Sequence, residues 1–186
     1  MGEVHERLDA RLVAWLEAQP VFFVATAPVD SSGLVNCSPK GLAGTFRVVD
    51  ERRVAYLDLT GSGIETVAHL RENGRIVLMF CAFDGPPRIV RLHGAGRVIT
   101  TEDVEFDQLL PGFSPHPGVR SIIVVDISRI ADSCGYAVPL MTYQGDRDLL
   151  DRSAAKKGPV KLVEYRAARN ALSLDGLPGL PGEVRT

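Results

Sequence analysis

A glycine-rich loop in the middle of this 186-residue chain combines hydroxyl side chains with the free backbone N–H groups expected at a helix N-terminus, which suits anion binding. The loop, Thr60-Gly61-Ser62-Gly63-Ile64-Glu65-Thr66, follows an apolar run and precedes a helical pattern that ends at Asn73-Gly74. Ser62 and Glu65 have the spacing of a capping box, which predicts Ser62 as the N-cap of that helix. A helix N-terminus of this kind binds phosphate well, because its free N–H groups and its dipole both favour an anion. Helix capping alone explains the same two residues, so the local pattern leaves both interpretations open.

A second candidate is the end of the strand-like run Asn36-Cys37-Ser38-Pro39-Lys40-Gly41. Pro39 fixes the backbone, Lys40 offers a cation, and Gly41 allows a ligand to approach the main chain. Alone, the same residues also describe an ordinary turn with a solvated lysine.

A third candidate is the pair Arg88 and Arg91, which flank Ile89-Val90. Side chains alternate between the two faces of a strand, so the two arginines are expected on opposite faces and cannot grip one ligand from the same side. A pair of surface charges is the alternative interpretation.

The sequence gives little support for a metal site, a disulfide framework or a catalytic cysteine. The three cysteines (Cys37, Cys81 and Cys134) and the four scattered histidines match no disulfide framework and no metal-ligand spacing, so no metal site is expected. Cys134, beside Gly135, is a candidate reactive thiol, but no histidine lies near it in the sequence. Unpaired cysteines favour a reducing compartment, the cytoplasm.

Composition excludes several classes of partner. A formal net charge of −2 and an aromatic content of 6% provide neither the basic face nor the stacking residues of a nucleic-acid-binding protein. No apolar run approaches the length of a membrane span. The apolar run 21–27 follows an acidic segment, which argues against a signal peptide.

Most predicted elements are strands joined by short turns. Hairpins are expected over 21–38 and 45–58, and the run 75–83 is predicted to be the most buried strand. Gly94 and Gly96 predict a bend in the long strand 88–99. Helices are expected over 6–18, 65–72, 101–110, 149–156 and 160–171. This order favours one mainly β (α+β) domain, 1–186: an antiparallel split β-barrel over about 21–130 with peripheral helices, and a C-terminal helical extension over about 145–186.

Taken in order, these pieces resemble the pyridoxamine 5′-phosphate oxidase-like family of flavin-binding split barrels, in an oxidase-related subgroup. The resemblance covers about 22–99, with a weaker similarity at 133–139 and 170–178. Its parts are the segments Asn36–Lys40, Tyr56–Asp58, Thr60–Gly63, Ile76–Phe80 and Arg88–Gly94.

The resemblance implies FMN bound at a homodimer interface, with a small molecule as substrate. The cofactor-binding residues that it implies are Ser38, Lys40, Asp58, Thr60, Ser62, Glu65, Thr66 and Arg88, with Arg88 or Arg91 as cross-subunit contacts. True oxidases carry an Arg-Lys pair where this chain has Glu65-Thr66, and their substrate-phosphate residues near the C-terminus have no match in 172–186. The resemblance therefore favours a flavin reaction other than vitamin B6 oxidation. The expected function is therefore FMN-dependent oxidoreduction, with no residue assigned as acid or base. Alternatives are a non-catalytic flavin-binding or redox-sensing module, and a split barrel that binds haem or deazaflavin.

Overall fold

One antiparallel sheet of eight strands forms the body of the protein, as seen in a computed structural model that describes residues 2–180. The strands are β1 (Val4–His5), β2 (Val21–Thr26), β3 (Asn36–Gly41), β4 (Phe46–Asp50), β5 (Arg53–Leu59), β6 (Arg75–Cys81), β7 (Ile89–Thr100) and β8 (Val119–Ser133). Their order across the sheet is β3-β2-β6-β7-β8-β5-β4, and β1 pairs with β8. The curled sheet, with helices on its outside, confirms the predicted split barrel.

The apolar core lies inside the curled sheet, because strand alternation sends every second side chain inward. Four aromatic rings meet there with centroids 5.0 to 5.4 Å apart, those of Phe22, Phe46, Tyr56 and Phe80. A smaller core on the other face of β5 and β8 contains Phe106 and Phe113.

The two strands with the longest unbroken buried runs are β5 and β8, covered on both faces. The prediction that 75–83 is the most buried strand was wrong, because only one face of β6 meets the core. The predicted bend is confirmed: the pairing of β7 with β8 shifts register between His93 and Gly94. A Cβ on Gly94 would approach the Asp126 carbonyl oxygen far inside contact distance, so only glycine fits this bulge.

Four α-helices of the described residues surround the sheet: α1 (Ala10–Glu17), α2 (Glu65–Glu72), α3 (Val104–Leu109) and α4 (Leu149–Arg169). Within α4, Gly158 has a φ of 70°, so the helix consists of two segments that meet there, as the sequence predicted. The predicted C-terminal extension over about 145–186 lies partly outside the described residues. No helix of residues 2–180 is long and apolar enough to cross a membrane.

Candidate functional site

The candidate site lies at the split of the barrel, where β3 approaches the end of β5 without pairing with it. Lys40 Nζ on β3 lies 3.6 Å from Asp58 Oδ1 on β5. The Asp58 side chain is 1% exposed and that of Lys40 is 23% exposed. The contact therefore joins a buried carboxylate to a cation at the rim, and two residues predicted from sequence meet here.

Asp58 is also paired with Arg120 of β8. Arg120 Nε donates to Asp58 Oδ2 at 2.7 Å, Nη2 donates to Oδ1 at 3.2 Å, and Ser121 Oγ donates to Oδ2 at 3.0 Å. Burial alone would raise the pKa of Asp58, but Arg120 and then Lys40 outweigh it and hold that pKa below its ordinary value. Asp58 is therefore a buried anion at neutral pH.

A β-bulge allows neighbouring residues of β8 to contact the same carboxylate. Asp58 pairs with Ser121 and Leu59 pairs with Val119, so Arg120 is the extra residue. Strict alternation would place Arg120 and Ser121 on opposite faces, whereas the bulge turns both toward Asp58. Sequence reasoning missed Arg120, and the one available signal was the need of a buried Asp58 for a cation partner.

Arg120 also fixes the glycine-rich loop. Its Nη2 donates to the Gly63 carbonyl at 2.8 Å and its Nη1 donates to the Gly61 carbonyl at 3.3 Å. The buried ion pair thus determines the path of the loop that enters α2.

The C-terminal helix holds the same loop from the other side. Arg166 Nε lies 3.0 Å from Thr60 Oγ1, and Asn170 Nδ2 donates to the Gly61 carbonyl at 2.9 Å. Thr60 Oγ1 itself donates to the Gly118 carbonyl at 2.8 Å. The Thr60 hydroxyl is therefore engaged within the chain, and the end of α4 contributes residues to the site that sequence reasoning missed.

The predicted capping box is absent. The N-cap of α2 is Ile64, no side chain of residues 2–180 caps the helix, and Ser62 lies exposed in the loop before it. Glu65 is the first helical residue rather than the third, and its carboxylate folds back over Gly63, where a Cβ would lie 2.7 Å from Oε2. Because Arg120 and Asn170 hold the loop carbonyls, the helix starts two residues later than the capping-box spacing predicts.

Hydroxyl and amide groups form a chain beside the first turn of α2. Ser38 Oγ donates to Asn36 Oδ1 at 2.6 Å, and Asn36 Nδ2 donates to Thr66 Oγ1 at 3.0 Å. Asn36 also reaches Thr26 Oγ1, which contacts His69 Nδ1 at 2.9 Å. The structure thus brings Ser38 and Thr66 together through Asn36, a residue that was not among the predicted site residues.

Arg88 and Arg91 lie apart from this cluster. Arg88 Nη2 donates to Asp132 at 2.8 Å and its guanidinium covers the Trp15 ring, while Arg91 Nη1 donates to Ser133 at 3.1 Å. Both arginines lie near the end of β6, toward Cys81. Within one chain, neither arginine joins the residues around Asp58.

Charge at the split suits an anion. Three cationic side chains from β3, β8 and α4 surround Asp58 and the loop (Lys40, Arg120 and Arg166), and two carboxylates oppose them, those of Asp58 and Glu65. The N-terminus of α2, which no described side chain caps, adds the positive end of the helix dipole. This combination can hold a phosphate group.

Comparison with known proteins gives a consistent result. A family model described as pyridoxamine 5′-phosphate oxidase matches residues 8–134. The pyridoxamine 5′-phosphate oxidase family protein ustO of Aspergillus flavus is 40% identical over 97% of this chain and 79% of its own length.

Solved structures of HupZ from Group A Streptococcus share the fold. A variant of HupZ with one substituted residue gives a TM-score of 0.53 at 19% identity, covering 68% of this chain and 99% of that chain. A second HupZ structure gives a TM-score of 0.51 at 19% identity, covering 66% of this chain and 90% of the HupZ chain.

Proposed function

This chain belongs to the pyridoxamine 5′-phosphate oxidase family, and we propose that it binds FMN at the split of its barrel for the oxidoreduction of a small molecule. The observation that carries the proposal is the first turn of α2, which no described side chain caps and which lies beside the Lys40–Asp58–Arg120 cluster. A phosphate monoester is the ligand that such a turn accepts best, and FMN provides one.

The residues at the split fit that phosphate. Lys40 at the rim supplies a cation, and Thr66 on the first turn supplies a hydroxyl that already accepts from Asn36. Glu65 folds back over Gly63, which turns its charge toward the loop. Ser62 is exposed and completes the ligand-facing side of the loop.

Asp58 and Thr60, which were also predicted, act by positioning these phosphate-binding groups. Asp58 orients Lys40 and Arg120, and Thr60 ties the loop to Gly118. A bound flavin supplies the redox chemistry, while the protein binds it, orients it and excludes water.

We place the FMN site at a homodimer interface. Alternation with the buried Phe22 and Leu78 directs Phe23 and Met79 outward, directly opposite each other on β2 and β6. Both are half-buried apolar side chains on the outside of the barrel, which a second copy would cover. Arg91 borders this pair, since it pairs with Met79, and it is our cross-subunit candidate because Arg88 is tied to Asp132 and Trp15.

We also place the protein in the cytoplasm, since its three cysteines are unpaired. The rival function, a non-catalytic flavin-binding module, draws support from Glu65, which occupies a position where true oxidases carry a cation.

Titration of the purified protein with FMN and with riboflavin tests the binding proposal. We expect flavin fluorescence to be quenched and FMN to bind at least about tenfold more tightly than riboflavin, because only FMN carries the phosphate. Lys40→Ala should remove that preference while Lys156→Ala, an exposed lysine on α4, leaves it unchanged. Absence of FMN binding would overturn the proposal.

Reduction of the bound flavin distinguishes the two functions. Steady turnover with NADH or NADPH and an electron acceptor would indicate an oxidoreductase, and bound flavin that neither cofactor reduces would favour the redox-sensing module.

A further inference from the structure

A large cavity opens next to the split, at the start of β2, where Phe22 lines it and pairs with Lys40 of β3. Its volume is about 1260 Å³, which exceeds that of most ligand pockets. The walls are the end of α1, the loop after β3, the turn between β6 and β7, and the segment that follows β8.

The segment after β8 is held in place as a wall of this cavity. Met141 N donates to the Phe83 carbonyl at 2.8 Å, and Ala43 N donates to Asp146 Oδ2 at 2.8 Å. Tyr143 also donates a hydrogen bond to Asp146, which raises the pKa of Tyr143. Two separate tethers therefore fix this otherwise irregular segment against the barrel.

Aromatic rings line the cavity. Six of them come from four different parts of the chain, namely Trp15, Phe22, Phe46, Phe83, Tyr136 and Tyr143. One ring already covers a cation: the Arg88 guanidinium lies 5.3 Å from the centroid of the Trp15 ring. The faces of such rings attract positive charge.

Acidic groups outnumber basic groups in the same walls. The carboxylates are those of Glu17, Asp84, Asp132 and Asp146, and the guanidiniums are those of Arg11 and Arg88. Arg88 and Asp132 neutralise each other at 2.8 Å. The remaining charged groups in the walls are three carboxylates (Glu17, Asp84 and Asp146) and one guanidinium (Arg11). Asp84 accepts from the Gly85 N–H, and Asp146 accepts from the Ala43 N–H and the Tyr143 hydroxyl. These donors are neutral, so among the described residues they leave both carboxylate charges uncompensated.

We infer that this cavity binds an organic ammonium ion with an aromatic or aliphatic body. The aromatic walls take the body, and Asp84 and Asp146 take the charge. An organic anion would meet the three carboxylates and is disfavoured, and a neutral ligand would gain nothing from them. The cavity borders the split, but Lys40, Asp58 and Arg120 are not among its lining residues, so the inference does not rest on FMN binding.

The single tryptophan of the chain, Trp15, lines the cavity and reports on binding there. Titrating the purified full chain with 2-phenylethylammonium, 2-phenylethanol and phenylacetate varies the charge on one aromatic body. We expect the ammonium ion to perturb Trp15 fluorescence with an affinity about tenfold above that of the alcohol, and phenylacetate to bind more weakly than either. Equal affinity for ammonium and alcohol, tighter binding of phenylacetate, or no response to any probe by fluorescence and calorimetry would overturn the inference.

A double variant locates the charge recognition. Asp84→Asn with Asp146→Asn keeps an acceptor oxygen at each position, so the backbone contacts are preserved while both charges are lost. Affinity for the ammonium ion should fall by about tenfold and affinity for the alcohol should stay within about twofold. Asp107→Asn, an exposed carboxylate on α3, is the matched control and should change neither. An ammonium affinity that survives the double variant would contradict the assignment.

Discussion

Arg120 and Asp58 form an ion pair, 2.7 Å from Nε to Oδ2, with side chains 4% and 1% exposed. The pair exists because a bulge in β8 turns Arg120 toward the barrel interior. It connects the sheet to the glycine-rich loop through the carbonyls of Gly61 and Gly63. A single buried contact thus ties β5 and β8 to the entry into α2.

Removing one partner of this ion pair should lower the free energy of unfolding markedly. Arg120→Met leaves the Asp58 carboxylate buried with Lys40 as its remaining cation, and the free energy of unfolding should fall by about 3–5 kcal/mol. Asp58→Leu combined with Arg120→Met should cost less than the sum of the two single changes, since no buried charge is stranded. Urea unfolding of the four proteins measures this, and strictly additive losses would show that the two residues are not coupled.

Ser62→Ala should leave stability unchanged within about 0.5 kcal/mol, because Ser62 caps no helix. The matched control is Asp9→Ala, since Asp9 Oδ1 accepts from Leu12 N at 2.8 Å and is the N-cap of α1. That change should cost about 1 kcal/mol. Thermal or urea unfolding compares the two. If Ser62→Ala lowered the free energy of unfolding as much as Asp9→Ala does, Ser62 would be a capping residue of α2 and the assignment of Ile64 would be wrong.

Low pH should lower the free energy of unfolding by protonating Asp58. The pKa of Asp58 in the folded chain lies below its ordinary value of 3.8, so the stabilisation is complete above that value and is lost as pH falls through the folded pKa. The free energy of unfolding should therefore be higher for the wild type than for Asp58→Asn at neutral pH. This difference should shrink only below about pH 4. A difference that stays constant from neutral pH into that range would contradict the assignment of Asp58 as the ionised partner.

Sedimentation equilibrium at micromolar concentration tests the proposed dimer. The wild type should be a dimer, and Met79→Arg should shift it to monomer because a charge would be buried in the contact. Met79 points away from the core, so the variant should keep its fold, which circular dichroism checks. Val104→Arg, at an apolar position of α3 that is 76% exposed, is the control and should remain dimeric. A monomeric wild type would contradict the interface, and so would a dimeric Met79→Arg.

Most of the strands, the helices, the bend at Gly94 and the family could be predicted from the sequence. Each of these depends on local patterns: alternation in β2 and β6, helical periodicity in α1 and α4, and glycine where no side chain fits. The family resemblance also implied Lys40 and Asp58 as residues of one site, and the structure brings the two together.

How the site is held could be seen only in the folded chain. Arg120, Arg166 and Asn170 contact residues 57 to 109 positions earlier in the chain. The bulge reversed the direction that alternation predicts for Arg120, and the contacts of Arg120 and Asn170 with the loop moved the start of α2 away from Ser62. A local pattern records which conformations a segment favours, whereas these contacts depend on the free energy of satisfying a buried carboxylate and buried carbonyl groups with partners that the chain brings from far along its length.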